Sequence, residues 1–161
     1  MANMGSGGRQ EVPAGVIGMS HRFTIVIDDA TSYDLGFWQK VSGLSVKWEL
    51  CPYRAGDQGN ALWIYPGTTK YENIQLTRPI SRASNNTQAW LSDTSTHMIP
   101  RSGVITLWAS SSVAIITWNL YNIFPVSWRI GELTTETGKV VTETLELAHT
   151  GFLKDQQTAL N

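Results

Sequence analysis

Few side chains here are of the types that do chemistry, and their spacing does not bring them together. The three histidines, His21, His97 and His149, are far apart in the chain. No serine sits in a Gly-x-Ser-x-Gly turn and no His-Glu-x-x-His pair occurs, so neither a nucleophile elbow nor a helical zinc-protease pair is present. Glu146 and His149 are three residues apart, a spacing that builds metal sites on helices. Their segment alternates as a strand, where three apart means opposite faces. Asp28 and Asp29 read as the turn that ends a strand, and nothing brings Asp57 to them; a metal needs more converging oxygens. Cys51 is the only cysteine, which excludes a disulfide or a cysteine-based zinc site within one chain. With no base beside it, it reads as an inert structural thiol. Asn85-Asn86-Thr87 matches a glycosylation sequon, which carries no weight without a secretory signal. The residues predict no catalytic, cofactor or metal site.

The remaining signal lies in assembly. A chain of 161 residues suits one domain, within the usual ~100–200, and can bury roughly 70% of its unfolded surface without disulfides or metal. The net charge is -1 and no Lys/Arg block occurs, so neither nucleic-acid specificity nor binding to an anionic membrane is expected. The N-terminus lacks a basic segment followed by an apolar run, and no apolar run approaches the ~20 residues of a membrane span. Both predict assembly in a cytoplasm. Seven tryptophans beside only 16% charged residues suit interface surface better than a freely solvated monomer.

The elements follow from alternation. Residues 21–27 read as a first strand, with Phe23, Ile25 and Ile27 on one face. Residues 37–41 and 44–50 read as a strand bent at Gly43, with Leu44, Val46, Trp48 and Leu50 opposite Ser45, Lys47 and Glu49. Residues 51–67 read as a long loop whose Trp63, Ile64 and Tyr65 dock on something. Residues 72–80 alternate again, Ile74, Leu76 and Ile80 against Asn73, Gln75 and Thr77. One helix is predicted over 84–99, capped by Asn85 or Asn86 and stopped by Pro100, with Leu91 and Met98 on one stripe. Residues 104–128 form a hairpin turning at 109–112. Its second strand is apolar on both faces, Ile116, Trp118 and Leu120 against Val113, Ile115 and Tyr121. Residues 140–149 form a last strand, with Leu145 and Leu147 on its core face. The fold class is therefore mainly β: an antiparallel β-barrel or sandwich of about six or seven strands with one packed helix. Residues 1–18 are a Gly-rich leader, either unstructured or an arm that orders on a neighbour; 19–153 form the domain; 154–161 are a polar tail.

Four stretches, in order, carry a family resemblance. They are the strand Phe23 to Ile27 leading to Gly36-Phe37-Trp38 and Val41-Ser42-Gly43-Leu44; Gly67-Thr68-Thr69-Lys70-Tyr71-Glu72-Asn73-Ile74-Gln75-Leu76-Thr77-Arg78; Trp118-Asn119-Leu120-Tyr121-Asn122-Ile123-Phe124-Pro125-Val126-Ser127-Trp128; and Glu143-Thr144-Leu145-Glu146-Leu147-Ala148-His149-Thr150-Gly151-Phe152. Over about 20–153 the chain resembles the inner tube proteins of contractile injection machines. These are the phage tail tube family, its relatives in extracellular injection systems and tailocins, and more distantly the Hcp protein of type VI secretion. Asn122-Ile123-Phe124 departs from the Asn-Ala that often precedes the family's proline, and the leader has no counterpart.

The resemblance implies a structural subunit, not an enzyme, without cofactor. Copies of it would form hexameric rings stacked into a hollow tube. Its partners would be a contractile sheath, baseplate, spike and cap proteins, and a tape-measure or cargo protein in the lumen, in a phage tail or tail-like particle that is in some systems released from the cell. On the residues themselves, Gly43, Trp48, Tyr53, Trp63, Tyr65, Trp118, Phe124 and Pro125 are the candidates for contacts between subunits. Asn73, Gln75 and Thr77, or Ser45, Lys47 and Glu49, are the candidates for a polar lumen face. The competing reading is a monomeric, Trp-rich β-sandwich that stacks sugars on exposed aromatic rings.

Overall fold

A computed structural model describes residues 22–28, 33–54, 56, 59, 62–109, 113–135 and 138–153. The leader and polar tail expected at the two ends lie outside these. The elements in order are β1 (Arg22–Asp28), β2 (Tyr33–Trp38), β3 (Lys40–Ser42), β4 (Val46–Tyr53), β5 (Trp63–Tyr71), β6 (Ile74–Pro79), α1 (Ser84–Thr96), β7 (Arg101–Trp108), β8 (Ala114–Ile130) and β9 (Thr142–Ala148).

A seven-stranded antiparallel sheet runs β2-β1-β7-β8-β9-β6-β3. Its two edge strands, β2 and β3, are consecutive in the chain, separated by Gln39 alone. The polypeptide thus steps from one edge of the sheet to the other and rolls it into a barrel. The apolar phases meet inside. Ile25, Ile27, Leu35, Ile74, Leu76, Trp90, Ile105, Leu120, Leu145 and Leu147 are fully buried.

The 17-residue strand β8 joins the two halves, pairing with β7 at its start and β9 at its end. Leu120 and Ile123 are both buried, although strict alternation puts them on opposite faces. Gly103 pairs with Leu120 but Arg101 with Ile123, so β8 carries one extra residue there, and Asn122 takes φ 50. This bulge resets the phase of the strand and returns its apolar side to the core.

Between Phe37 and Pro79 the barrel is closed by side chains. Arg78 lies in the core phase of β6 and is 3% exposed. It pairs with the fully buried Glu143 of β9 and donates to the Leu35 carbonyl on the free edge of β2, to the Phe37 carbonyl (3.4 Å) and to Thr87 Oγ1 of α1 (3.0 Å). Its guanidinium stacks on Trp38 with 4.2 Å to the ring centroid. Glu143 also accepts from Ser84 Oγ (2.7 Å) and Trp128 Nε1 (3.0 Å). Asn86 Nδ2 of α1 donates to the Asp34 carbonyl (3.0 Å). The open edge of β2 is therefore hydrogen-bonded by side chains and covered by the helix.

Three local expectations change. The N-cap of α1 is Ala83, with no side-chain cap; Asn86 is recruited to β2 and Asn85 caps nothing. The buried stripe is Thr87, Trp90 and Thr94, while Met98 lies past the helix end and is 82% exposed. Residues 51–67 are mostly not loop: β4 and β5 pair through Tyr53 and Trp63 into a separate two-stranded ribbon. That adds β5, and the single bent strand read across 37–50 becomes β2, β3 and β4.

Candidate assembly interface

The ribbon begins where β3 and β6 stop pairing. Ser42 faces Gln75 in the barrel, Val46 faces Tyr71 in the ribbon, and Gly43, Leu44, Ser45, Glu72 and Asn73 form the neck between them. Gly43 has φ 88, and a Cβ there would overlap the Asn73 carbonyl. Across the neck Glu72 N donates to the Ser45 carbonyl at 3.4 Å. Tyr71, His149 and Phe152 cluster against it, with ring centroids 5.2 to 5.9 Å apart. A Cβ on Gly151 would come within 3.0 Å of the Tyr71 ring. His149 Nε2 lies 3.1 Å from the Glu72 carbonyl and ties the last strand to the neck.

Burial pushes the His149 imidazole below its ordinary 6.5, partly offset by its hydrogen bonds to the Glu72 and Gly151 backbone. The neutral ring is therefore the form the fold prefers. Its contribution is complete above pH 6.5 and is lost as pH falls through the lower folded value, where the unfolded chain binds the extra proton. Melting curves between pH 7.5 and 5 should show a steeper loss of Tm for wild type than for His149→Gln. Equal slopes would remove this role.

Beyond the neck, both faces of the ribbon are exposed. The alternation of β4 puts Trp48, Leu50 and Pro52 on one face, joined across the ladder by Ile64 and Pro66. The other face holds Lys47 and Glu49 near the neck, then Cys51, Tyr53, Trp63 and Tyr65. Lys47 pairs with Glu72 and Glu49 with Lys70, so the charges near the neck cancel. Trp48 and Trp63 are each 52% exposed and Leu50 67%. An isolated two-stranded ribbon is marginal in water, and one apolar on both sides needs a partner on both sides.

The predicted contact residues divide. Gly43, Trp48, Tyr53, Trp63 and Tyr65 share the ribbon and its neck. Trp118, Phe124 and Pro125 lie on β8, and Trp118 packs against the protomer's own core. The predicted polar residues also divide. Ser45 and Asn73 sit in the neck, and Lys47 and Glu49 on the ribbon. Gln75 and Thr77 fall on the outward face of β6, in rows that cross four strands: Lys40, Thr77, Thr144 and Arg129; then Ser42, Gln75, Glu146 and Ser127. Glu146 is held in its row by Asn73 Nδ2 (2.9 Å) and Ser127 Oγ (3.3 Å).

Arg78 and Glu143 escaped the sequence reading as site residues. Their signal was present: each puts a charge, of opposite sign, into the apolar phase of an alternating strand. The groove beside them, about 500 Å³, is lined by Phe37, Trp38, Pro79 and Ile80 with Arg22 and Arg78. Among the described residues no three His, Cys, Asp or Glu side chains are grouped to hold a metal, and no helix is long and apolar enough to cross a membrane.

Residues 19–153 match the model of the family described as T4-like virus tail tube protein gp19. No curated protein sequence matches the chain. Among solved structures the chain is similar to one in the cryo-EM baseplate of the anti-feeding prophage, at 25% identity and TM-score 0.66, covering 88% of this chain and 94% of that one. It is similar in fold to a chain of the PVC sheath-tube complex of an extracellular contractile injection system, in the extended state, at 20% identity and TM-score 0.63, covering 80% and 84%. A crystal structure of Hcp protein shares the fold at 12% identity and TM-score 0.50, covering 80% and 89%.

Proposed function

This chain belongs to the T4-like virus tail tube protein gp19 family and is a subunit of the tube of a contractile injection machine; from that premise we propose that its copies form hexameric rings which stack through the β4–β5 ribbon. The observation that carries this is the ribbon itself. It bears Trp48, Leu50, Tyr53, Trp63, Ile64 and Tyr65, all more than half exposed, on a two-stranded sheet set apart from the seven-stranded one among the described residues. At ~3.3 Å per residue the eight residues of β4 reach about 26 Å beyond the neck, enough to cross onto another subunit.

The lumen is lined by the polar rows around Gln75 and Thr77. They hold two cations, Lys40 and Arg129, and one anion, Glu146, so each copy adds one net positive charge to a polar, wet wall. A contractile sheath surrounds the tube, cap and baseplate proteins close its ends, and cargo or a tape-measure protein occupies the channel. The subunit assembles in the cytoplasm, has no enzymatic activity, and leaves the cell only within the particle.

Negative-stain microscopy of the purified chain should show rings and tubes. Trp63→Ser combined with Tyr65→Ser should keep the circular dichroism of the barrel and lose tubes. Interface aromatics of this kind contribute about 2 kcal/mol or more each, so even one truncation should raise the assembly concentration roughly 30-fold. A wild-type chain that stays monomeric at high concentration sinks the reading.

A further inference from the structure

We propose that residues 12–19 of the leader dock in the groove at the barrel seam of their own copy, with Val16 and Ile17 as the anchors. The groove, about 500 Å³, falls within the ~300–1,000 Å³ of a ligand-sized site. It opens where β2 and β6 part. Gln39 N still donates to the Thr77 carbonyl at 3.1 Å. Past that bond no ladder among the described residues joins Phe37 and Trp38 to Pro79 and Ile80, and these four form the walls. Arg22 stands in the same lining, with its guanidinium 5.7 Å from the centre of the Phe37 ring. Arg22 is also the first residue of β1, and Phe23 faces Trp38 in the ladder. The chain that precedes β1, which lies outside the described residues, is therefore tethered at the groove itself.

The chemistry of the groove selects an uncharged, aliphatic occupant. Arg78 is already neutralised by Glu143 and donates to the Leu35 carbonyl and Thr87 Oγ1, so no cation in the floor seeks an anion. The walls are aromatic and aliphatic, with Phe37 58% and Ile80 41% exposed. Residues 12–20, Val-Pro-Ala-Gly-Val-Ile-Gly-Met-Ser, carry no charge, so no ion has to leave water on entry. Val16, Ile17 and Met19 stand within about 10–20 Å of Arg22 along an extended chain, at ~3.3 Å per residue. A segment tethered this closely acts at about 1 mM, so a contact with a Kd of only about 0.1 mM fills roughly nine grooves in ten. Docking also covers the edge of β2 that no described strand pairs, a site of unwanted strand addition. Val16 and Ile17 lie ahead of the matched residues 19–153, so the contact is this chain's own and not one that its family supplies.

The test places a photo-crosslinking benzoylphenylalanine at Phe37 in chains of full length, mixes isotope-labelled with unlabelled copies, irradiates them in dilute solution and maps the crosslinks by mass spectrometry. In parallel, hydroxyl-radical oxidation of Phe37 is compared between wild type and Val16→Asp with Ile17→Asp, after circular dichroism confirms that both fold. The expected result is crosslinks to residues 12–19 within one copy. Oxidation of Phe37 should rise several-fold in the double variant, toward the roughly tenfold that uncovering nine grooves in ten allows. Crosslinks to residues 12–19 of a different copy, or to any other segment, overturn docking within the copy, and so does equal oxidation in the two folded proteins. If the double variant misfolds, the crosslink map alone decides. Both readouts use the unassembled chain and so stand apart from the tube reading.

Discussion

Glu143→Ala is expected to destabilise the subunit more than any other single side-chain truncation described here, by about 3–5 kcal/mol, the usual consequence of leaving one member of a buried ion pair alone. Arg78 would remain 3% exposed with its strongest partner gone. Ser84 Oγ and Trp128 Nε1 would each lose an acceptor. For a chain of this size, with total stability of roughly 5–15 kcal/mol, the loss corresponds to a Tm lower by about 10–20 °C. Urea denaturation followed by tryptophan fluorescence measures it. A double replacement, Arg78→Met with Glu143→Leu, should recover only part. It removes the unpaired charge, but it still strips the Leu35 and Phe37 carbonyls of their donor at the open edge of β2. A double variant as stable as wild type would show that the seam needs no polar closure. A Glu143→Ala change of under 1 kcal/mol would show that Arg78 finds other solvation.

The second large effect concerns assembly. Gly43→Ala combines a φ of 88 with a Cβ driven into the Asn73 carbonyl, a backbone atom that cannot rotate away. The left-handed conformation alone costs about 1–3 kcal/mol in a non-glycine residue. The clash adds to it and is relieved only by opening the neck. The neck leads into β3 and β6 and lies beside the buried Ile74, but most of the core belongs to β1, β2, β7, β8, β9 and α1, so the variant should retain most of its β-sheet signal and its buried tryptophans. The ribbon would be tilted or frayed, and tubes would be lost. Gly59→Ala is the control. It shares a positive φ of 55, but among the described residues a Cβ there meets nothing within 4 Å, so it should show the conformational cost without the clash. If Gly43→Ala assembles as wild type does, the neck is compliant and the ribbon's angle does not set the stacking.

The tryptophans show how composition and structure divide the question. Seven in one chain pointed to interface surface. Five belong to the barrel and its helix: Trp38 and Trp90 are buried, Trp118 and Trp128 pack against the core, and Trp108 Nε1 donates to Thr24 Oγ1 at 2.7 Å. Only Trp48 and Trp63, on the ribbon, are more than half exposed. They lie on opposite faces of it.

Legible in the amino-acid order were β1, β6 and β9 with their inward phases, the hairpin of β7 and β8, and the presence of one helix, whereas β2 and β3 were merged with β4 into one bent strand. A half-buried strand must alternate, and Phe23, Ile25 and Ile27, or Ile74 and Leu76, or Leu145 and Leu147, do so. β5 stayed hidden because it is exposed on both faces; with no inside, Trp63 to Tyr71 has no apolar phase to contrast with a polar one. The helix cap was misplaced because Asn86 had a stronger claim on it, an open carbonyl on β2, which exists only once strand and helix meet. The bulge at Asn122 could not be read from local order, and the charges of Arg78 and Glu143 in apolar phases marked them as buried without saying what they close, since both features answer to the barrel's geometry: one to keep Leu120 and Ile123 inside, the other to satisfy an edge that no described strand reaches. Local periodicity decided what is inside. Only the closed barrel, by bringing residues 65 positions apart into one buried network and casting one ribbon out, decided where the seam and the projecting surface lie.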